Sequence, residues 1–211
     1  MARREFGFLV AVMVVAGLQA GAAHAKKKPL ENIALQWRPT TTFAELGAVD
    51  LNGLDKAAIK VEPLVDKRPA ERVSLIGENR EDEAQGQVLR VTTKEDAAAF
   101  CTSNLSAIMQ KVGLPVATES PTVVLSGELV SFFVTETNVY VGDLSLKIKV
   151  SNRKGEVLWS GVANGGAKRW GRSYQLENYH EVLSDSLLQA VFDLLRNPRF
   201  LDALAGKHAT R

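Results

Sequence analysis

Apolar and polar residues change their spacing several times along this chain, and each change marks an element. The first period-two stretch is 58–65, where Ile59, Val61 and Val65 alternate with Lys60 and Glu62, as in a strand with one wet face. Pro63 makes it an edge or ending strand. Asp66-Lys67-Arg68-Pro69 follows as a turn, and the polar stretch 70–91, which contains Ile76-Gly77, predicts a long surface loop with at most a short strand at 88–91. The spacing then becomes helical. Thr92-x-x-Glu95 has the form of a capping box, in which hydroxyl and carboxylate satisfy two orphaned backbone amides. The helix expected over 95–112 lines up Phe100, Leu105, Ile108, Met109 and Val112, and Gly113 stops it.

Three strands are expected next. Stretch 122–136 switches its apolar parity, from Val123 and Leu125 to Val130, Phe132 and Val134, which predicts a bulge at Gly127. In 139–150, Leu144, Leu146, Ile148 and Val150 alternate with Ser145, Lys147 and Lys149. Asn152-Arg153-Lys154-Gly155 reads as a hairpin turn to a partner strand over 156–163. Residues 164–174 read as a Gly-rich loop. A final helix over 177–197, with Asn178-x-x-Glu181 as a second candidate cap, buries Val182, Leu183, Leu187, Ala190, Val191, Leu194 and Leu195. Pro198 ends it and starts a short helix over 199–204, closed by Gly206. The order strand, helix, three strands, helix predicts an α+β fold: a mostly antiparallel sheet of about four strands with two amphipathic helices on one face. That domain spans 57–206. A loosely structured lead-in, 26–56, is broken by Pro29, Pro39, Gly47 and Gly53 and pinned by Trp37 and Phe43; 207–211 is a tail.

The first residues change the compartment. Arg3 and Arg4 precede an apolar run from Gly7 to Leu18, and Ala23-His24-Ala25 has the small-x-small form of a cleavage site. The run is shorter than the ~20 residues that span a bilayer. Residues 1–25 are therefore expected to be a signal peptide cleaved after Ala25, delivering the chain to the periplasm without a transmembrane segment. Arg3-Arg4 loosely matches a twin-arginine signal, but the short, strongly apolar run suits the general secretory route. Lys26, not Cys, follows the cleavage site, so no lipid anchor is expected.

Composition then excludes several chemistries. With 26 basic and 24 acidic residues, the charge is nearly balanced, which argues against nucleic acid as a partner. A single cysteine, Cys101, rules out an intramolecular disulfide, and its Ala-rich helical setting predicts burial. Three histidines and one cysteine form no metal-ligand pattern; no metal and no cofactor are expected. No serine occupies a Gly-x-Ser-x-Gly elbow, and Gly161-x-x-x-Gly165-Gly166 lacks the context of a phosphate loop.

The best recognition surface is the segment holding Trp170, Arg172 and Tyr174, because aromatic and Arg side chains on a loop have the composition of binding hot spots. Asp66, Arg68 and Gly77 are turn or loop candidates, with Asp66 and Arg68 expected to form a turn-stabilising ion pair.

Several runs together resemble the YajG-like bacterial envelope lipoproteins over about 59–204: Asp66-Lys67-Arg68, Ile76-Gly77, Val91-Thr92-Thr93, the stretch from Asp143 to Val150, Gly155-Glu156-Val157-Leu158-Trp159 and the stretch from Asn178 to Ser184. The resemblance implies a small envelope protein without recognised enzymatic activity. Lys26 departs from it, standing where the family carries its lipidated Cys. Two functions are expected from these readings. The first is an exported, non-enzymatic binding or assembly module whose partner is another envelope protein or an envelope polymer. The alternative is a hydrolase with an unconventional site near Asp66, His180 and Ser184.

Overall fold

A long hairpin organises the molecule. In the computed structural model, which describes residues 27–117 and 119–208, strands β5 (Val123–Glu136) and β6 (Val139–Asn152) pair antiparallel almost end to end. The expected signal peptide lies outside the described residues. β1 (Ile59–Val61), β2 (Val65–Asp66) and β3 (Leu75–Asn79) line up in turn along the free side of β5, all parallel to it. β4 (Leu89–Thr92) pairs antiparallel with β3 at one edge. On the other side of β6 run β7 (Val157–Gly165) and β8 (Lys168–Trp170), both antiparallel to it.

The sheet therefore has eight strands and is mixed, larger than the four expected from period-two patterns. The stretch 58–65 is split around Pro63 into β1 and β2, consistent with a residue that cannot donate to a ladder. Strand β3 hid in the charged stretch because only Leu75–Asn79 enters the sheet, while Arg80 turns out to pair with Glu78 and Glu83. The Gly-rich segment 164–174 is not all loop: β7 runs on to Gly165, and β8 follows.

Alternation along β6 explains the layering. Leu144, Leu146, Ile148 and Val150 are buried, whereas Asp143, Lys147 and Lys149 are exposed. Helices α2 (Ala97–Lys111), α3 (Leu176–Leu195) and α4 (Pro198–Leu204) all stack on the buried face, and the short α1 (Phe43–Leu46) sets Phe43 edge-on to Phe192 of α3, centroids 5.4 Å apart. Gly165 lets α3 lie against the sheet, since a Cβ there would strike the Ser186 backbone. Among the described residues the opposite sheet face carries no helix.

Three local expectations are corrected. The bulge in β5 falls between Leu129 and Ser131, not at Gly127; Val130 is the extra, outward residue that moves burial from Leu129 to Phe132. α2 starts one turn inside the expected box, with Asp96 as N-cap accepting from Ala99 N–H at 3.0 Å. Thr92 instead lies in β4, and Glu95 accepts from Leu35 N–H at 2.8 Å. α3 begins without a side-chain cap, and Asn178 donates to Ser173 at 2.8 Å.

Candidate functional site

β8 pairs Trp170 with Val139 and Lys168 with Val141, so strand alternation puts these four residues on the helix-free face. Trp170 is 81% exposed there, and Val141 is exposed beside it. Arg169 points the other way and pairs with Glu181 of α3. Arg172 is exposed, but two residues later the chain dives inward. Tyr174, at φ 45°, is only 8% exposed. Its N–H donates to a Glu136 carboxylate oxygen at 2.9 Å; its hydroxyl donates to the Arg90 carbonyl at 3.1 Å and accepts from Leu30 N–H at 2.9 Å. Trp170 and Arg172 thus share the surface, while Tyr174 belongs to the interior.

Tyr174 opens onto a buried polar cluster that the sequence reading missed. Glu136 is fully buried at the end of β5 and accepts from the Tyr179 hydroxyl at 2.7 Å. Tyr179 stands edge-on to both Tyr140 and Tyr174, with centroids 5.3 and 6.2 Å apart. Burial, reinforced by the Glu136 charge, holds the Tyr179 hydroxyl far above its ordinary pKa. Gly77, expected in a turn or loop, is inside β3 instead. It makes room for this cluster: a Cβ there would come within 2.7 Å of Tyr179 Cε1 and 2.9 Å of the Val134 carbonyl. One sequence signal was available, because Glu136 shares its parity with Phe132 and Val134, the inward positions.

Asp66 and Arg68 do pair, and the pair is deep. Arg68 Nη2 meets Asp66 Oδ2 at 2.7 Å and Nε meets Oδ1 at 3.0 Å, with the guanidinium side chain 2% exposed and 5.9 Å from the Phe132 ring centre. Burial pushes the Asp66 carboxyl upward, but the Arg68 hydrogen bonds and charge outweigh it and leave the pKa below its ordinary value.

His180 and Ser184 lie one turn apart on α3, and both face an extended strap that runs over the helix from Leu30 to Thr41. His180 Nε2 is 2.9 Å from the Ala34 carbonyl; Ser184 accepts from Arg38 N–H at 2.9 Å. Asp185 continues the row, accepting from Thr40 and Thr41 N–H at 2.8 and 2.9 Å. Burial, with Arg38 nearby, lowers the His180 pKa. The polar atoms of His180 and Ser184 serve the strap, and no hydrogen bond joins either residue to Asp66, whose own partner is Arg68. Among the described residues no three His, Cys, Asp or Glu side chains are grouped to hold a metal ion, and no helix is long and apolar enough to cross a membrane.

The helix-free face also carries a groove of about 560 Å³ at the other end of β6 from Trp170, lined by Val65, Gly127, Glu128, Lys147, Lys149 and Val157. The molecule is thus an α+β protein with one sheet face under helices, one face open, and an exposed Trp at a corner of the open face. No family model and no curated protein matches the chain. A Xanthomonas campestris protein described by the family model DUF330 is similar to it in structure at 12% identity, over 66% of this chain and 82% of that one, with a TM-score of 0.49. A PelC dodecamer from Paraburkholderia phytofirmans is similar at 14% identity, over 63% and 86%, with a TM-score of 0.38.

Proposed function

We propose that the chain is an exported, non-enzymatic, YajG-like envelope protein that works in the periplasm as a binding or assembly module through the Trp170 corner of its open sheet face. The observation that carries this reading is Trp170 itself. An indole 81% exposed beside Val139, Val141, Lys168 and Arg172 loses apolar contact with water only when a partner covers it. Ala23-His24-Ala25 supports export, and the balanced charge favours an envelope protein over a nucleic acid. The occupation of His180 and Ser184 by the strap favours a structural role for both over a hydrolytic one.

The test combines Trp170→Ala with Arg172→Ala. Both side chains are exposed, so the unfolding free energy should stay nearly unchanged, within the ~0.5 kcal/mol typical of surface changes. Capture of an envelope protein that the parent chain binds should be lost. A clear loss of stability with capture intact would mean that Trp170 covers the sheet edge rather than a partner.

A further inference from the structure

The two edges of the sheet are finished differently. At the β4 edge the strap takes up the outward backbone groups: Thr92 N–H donates to the Leu30 carbonyl at 2.9 Å, Ile33 N–H donates to the Thr92 carbonyl at 2.8 Å, and Leu30 forms a parallel bridge with Val91. The β7 edge has no such cover. β7 is nine residues long, its inner side is bonded to β6, and no described residue hydrogen-bonds to its outer side. Between 157 and 165 there is no Lys, no other charged residue and no Pro, and the one interruption is a bulge at Leu158, close to the start of the strand, where Val150 pairs with Trp159 and Ser151 with Val157.

From this edge we infer that the protein forms a two-fold dimer in which β7 of one copy pairs antiparallel with β7 of a second copy, joining two sheets into one. A two-fold contact requires a surface complementary to itself, and β7 has one when the axis passes through Val162. Val162, 54% exposed, then faces its own counterpart on the open side. Ser160 faces Asn164 on either side of it, two exposed polar residues suited to bond across the pair. Gly161 faces Ala163 on the helix side, and their small size lets the backbones close. Beyond the Leu158 bulge the chain turns back to β6, where the Asn152 side chain donates to the Glu156 carboxylate at 2.6 Å, so the contact is confined to the stretch from Ser160 to Asn164. A shift of the axis by one residue would set Val162 against Ser160 or Asn164. The match of Val162 with itself and of Ser160 with Asn164 therefore favours the second copy in this one register over an arbitrary extended segment.

Sedimentation of the purified protein from micromolar to millimolar concentration tests the inference, together with cross-linking through an introduced surface cysteine, the native Cys101 being buried. The mass should double with concentration. Val162→Lys, which sets two cations against each other at an exposed position, should return the chain to monomer mass at concentrations where the parent is dimeric, with its melt unchanged when both are dilute. Val162→Cys should form a disulfide-linked dimer under mild oxidation, since directly opposed strand residues lie within the ~4.4–6.8 Å Cα separation of a disulfide. Val157→Cys should not, because in this register its counterpart is about 30 Å away. A monomer mass throughout would overturn the inference. So would a dimer insensitive to Val162→Lys, or equal cross-linking from positions 157 and 162. If the chain alone stays monomeric and Val162→Cys links to another protein in periplasmic extract, the edge receives a foreign strand and self-pairing is wrong.

Discussion

At the scale of single residues, the Asp66–Arg68 pair carries the clearest energetic consequence. A guanidinium 2% exposed has given up its water, and Asp66 with the Val73 carbonyl at 2.9 Å replaces only part of it. Asp66→Asn would leave that cation buried without a counter-charge. It should destabilise the protein by about 3 kcal/mol, the lower end of the range for breaking a buried pair, because Asp66 itself is 21% exposed. Denaturant melts measure this. Changing both partners to apolar residues, Asp66→Leu with Arg68→Met, should recover much of the loss. The pH dependence has a definite sign. A carboxyl whose folded pKa lies below its unfolded value of about 3.9 stabilises the fold above that value and loses the contribution as pH falls through the folded pKa. The acid limb of the stability curve below about pH 4 should therefore be shallower in Asp66→Asn. The pairing itself was legible from spacing and charge. Its depth was not, because the Phe132 ring beside Arg68 lies more than sixty positions along the chain. Glu136 failed to register for the same reason: its acceptor role depends on Tyr174, just ahead of α3, and on Tyr179 within it, both about forty positions further along the chain.

At the scale of elements, local signals were read well and long-range pairings were not. The β5–β6–β7 meander and the two long helices announce themselves through their own periodicity. β1, β2 and β3 pair parallel to a strand sixty residues away, and no short-range pattern encodes that register. The capping motifs were misplaced because Thr92 and Glu95 are used by the strap rather than by α2. The strap itself has almost no regular structure, yet successive side chains of α3 bond to its backbone. Its attachment should weaken in mild acid. His180 is held neutral by burial, with Arg38 adding to the effect while the Ala34 carbonyl, Glu177 and Glu95 oppose it. Its folded pKa is below the unfolded value of about 6.5, so the unfolded chain binds the extra proton first. The contribution is full above about pH 6.5 and is lost as pH falls toward the folded pKa. Amide exchange at residues 34–41 should speed up, relative to that of β6, between about pH 7 and pH 5. His180→Gln, which keeps a side-chain amide donor but cannot titrate there, should remove that difference. An unchanged difference would assign the pH effect to another group.

At the scale of the whole molecule, the question is whether the helical layer and the sheet unfold together. α2 packs on β5, β2 and α3, and Leu105, Ile108 and Met109 are almost wholly removed from water. Cys101 reports on this layer from within. It is fully buried, and desolvation raises its thiol pKa well above the ordinary value despite the nearby Arg68. The nucleophile is the thiolate, so a reagent can reach it only when α2 leaves the sheet and the sulfur meets water. If the layer and the sheet form one cooperative unit, the free energy of opening obtained from labelling rates should match that from denaturant melts within about 1 kcal/mol. It should also fall with denaturant along the same slope. Leu105→Ala, a core truncation expected to cost about 2–5 kcal/mol, should then lower both quantities equally. Labelling that is fast and insensitive to denaturant would show α2 opening by itself. The strap would then be its clasp, because Glu95 at the head of α2 is bonded to Leu35 and the Phe100 ring lies 6.5 Å from that of Trp37. In that case Asp185→Ala, which frees the strap at Thr40 and Thr41, should accelerate Cys101 labelling more than it lowers the melting temperature. In a single cooperative unit the two effects stay in proportion.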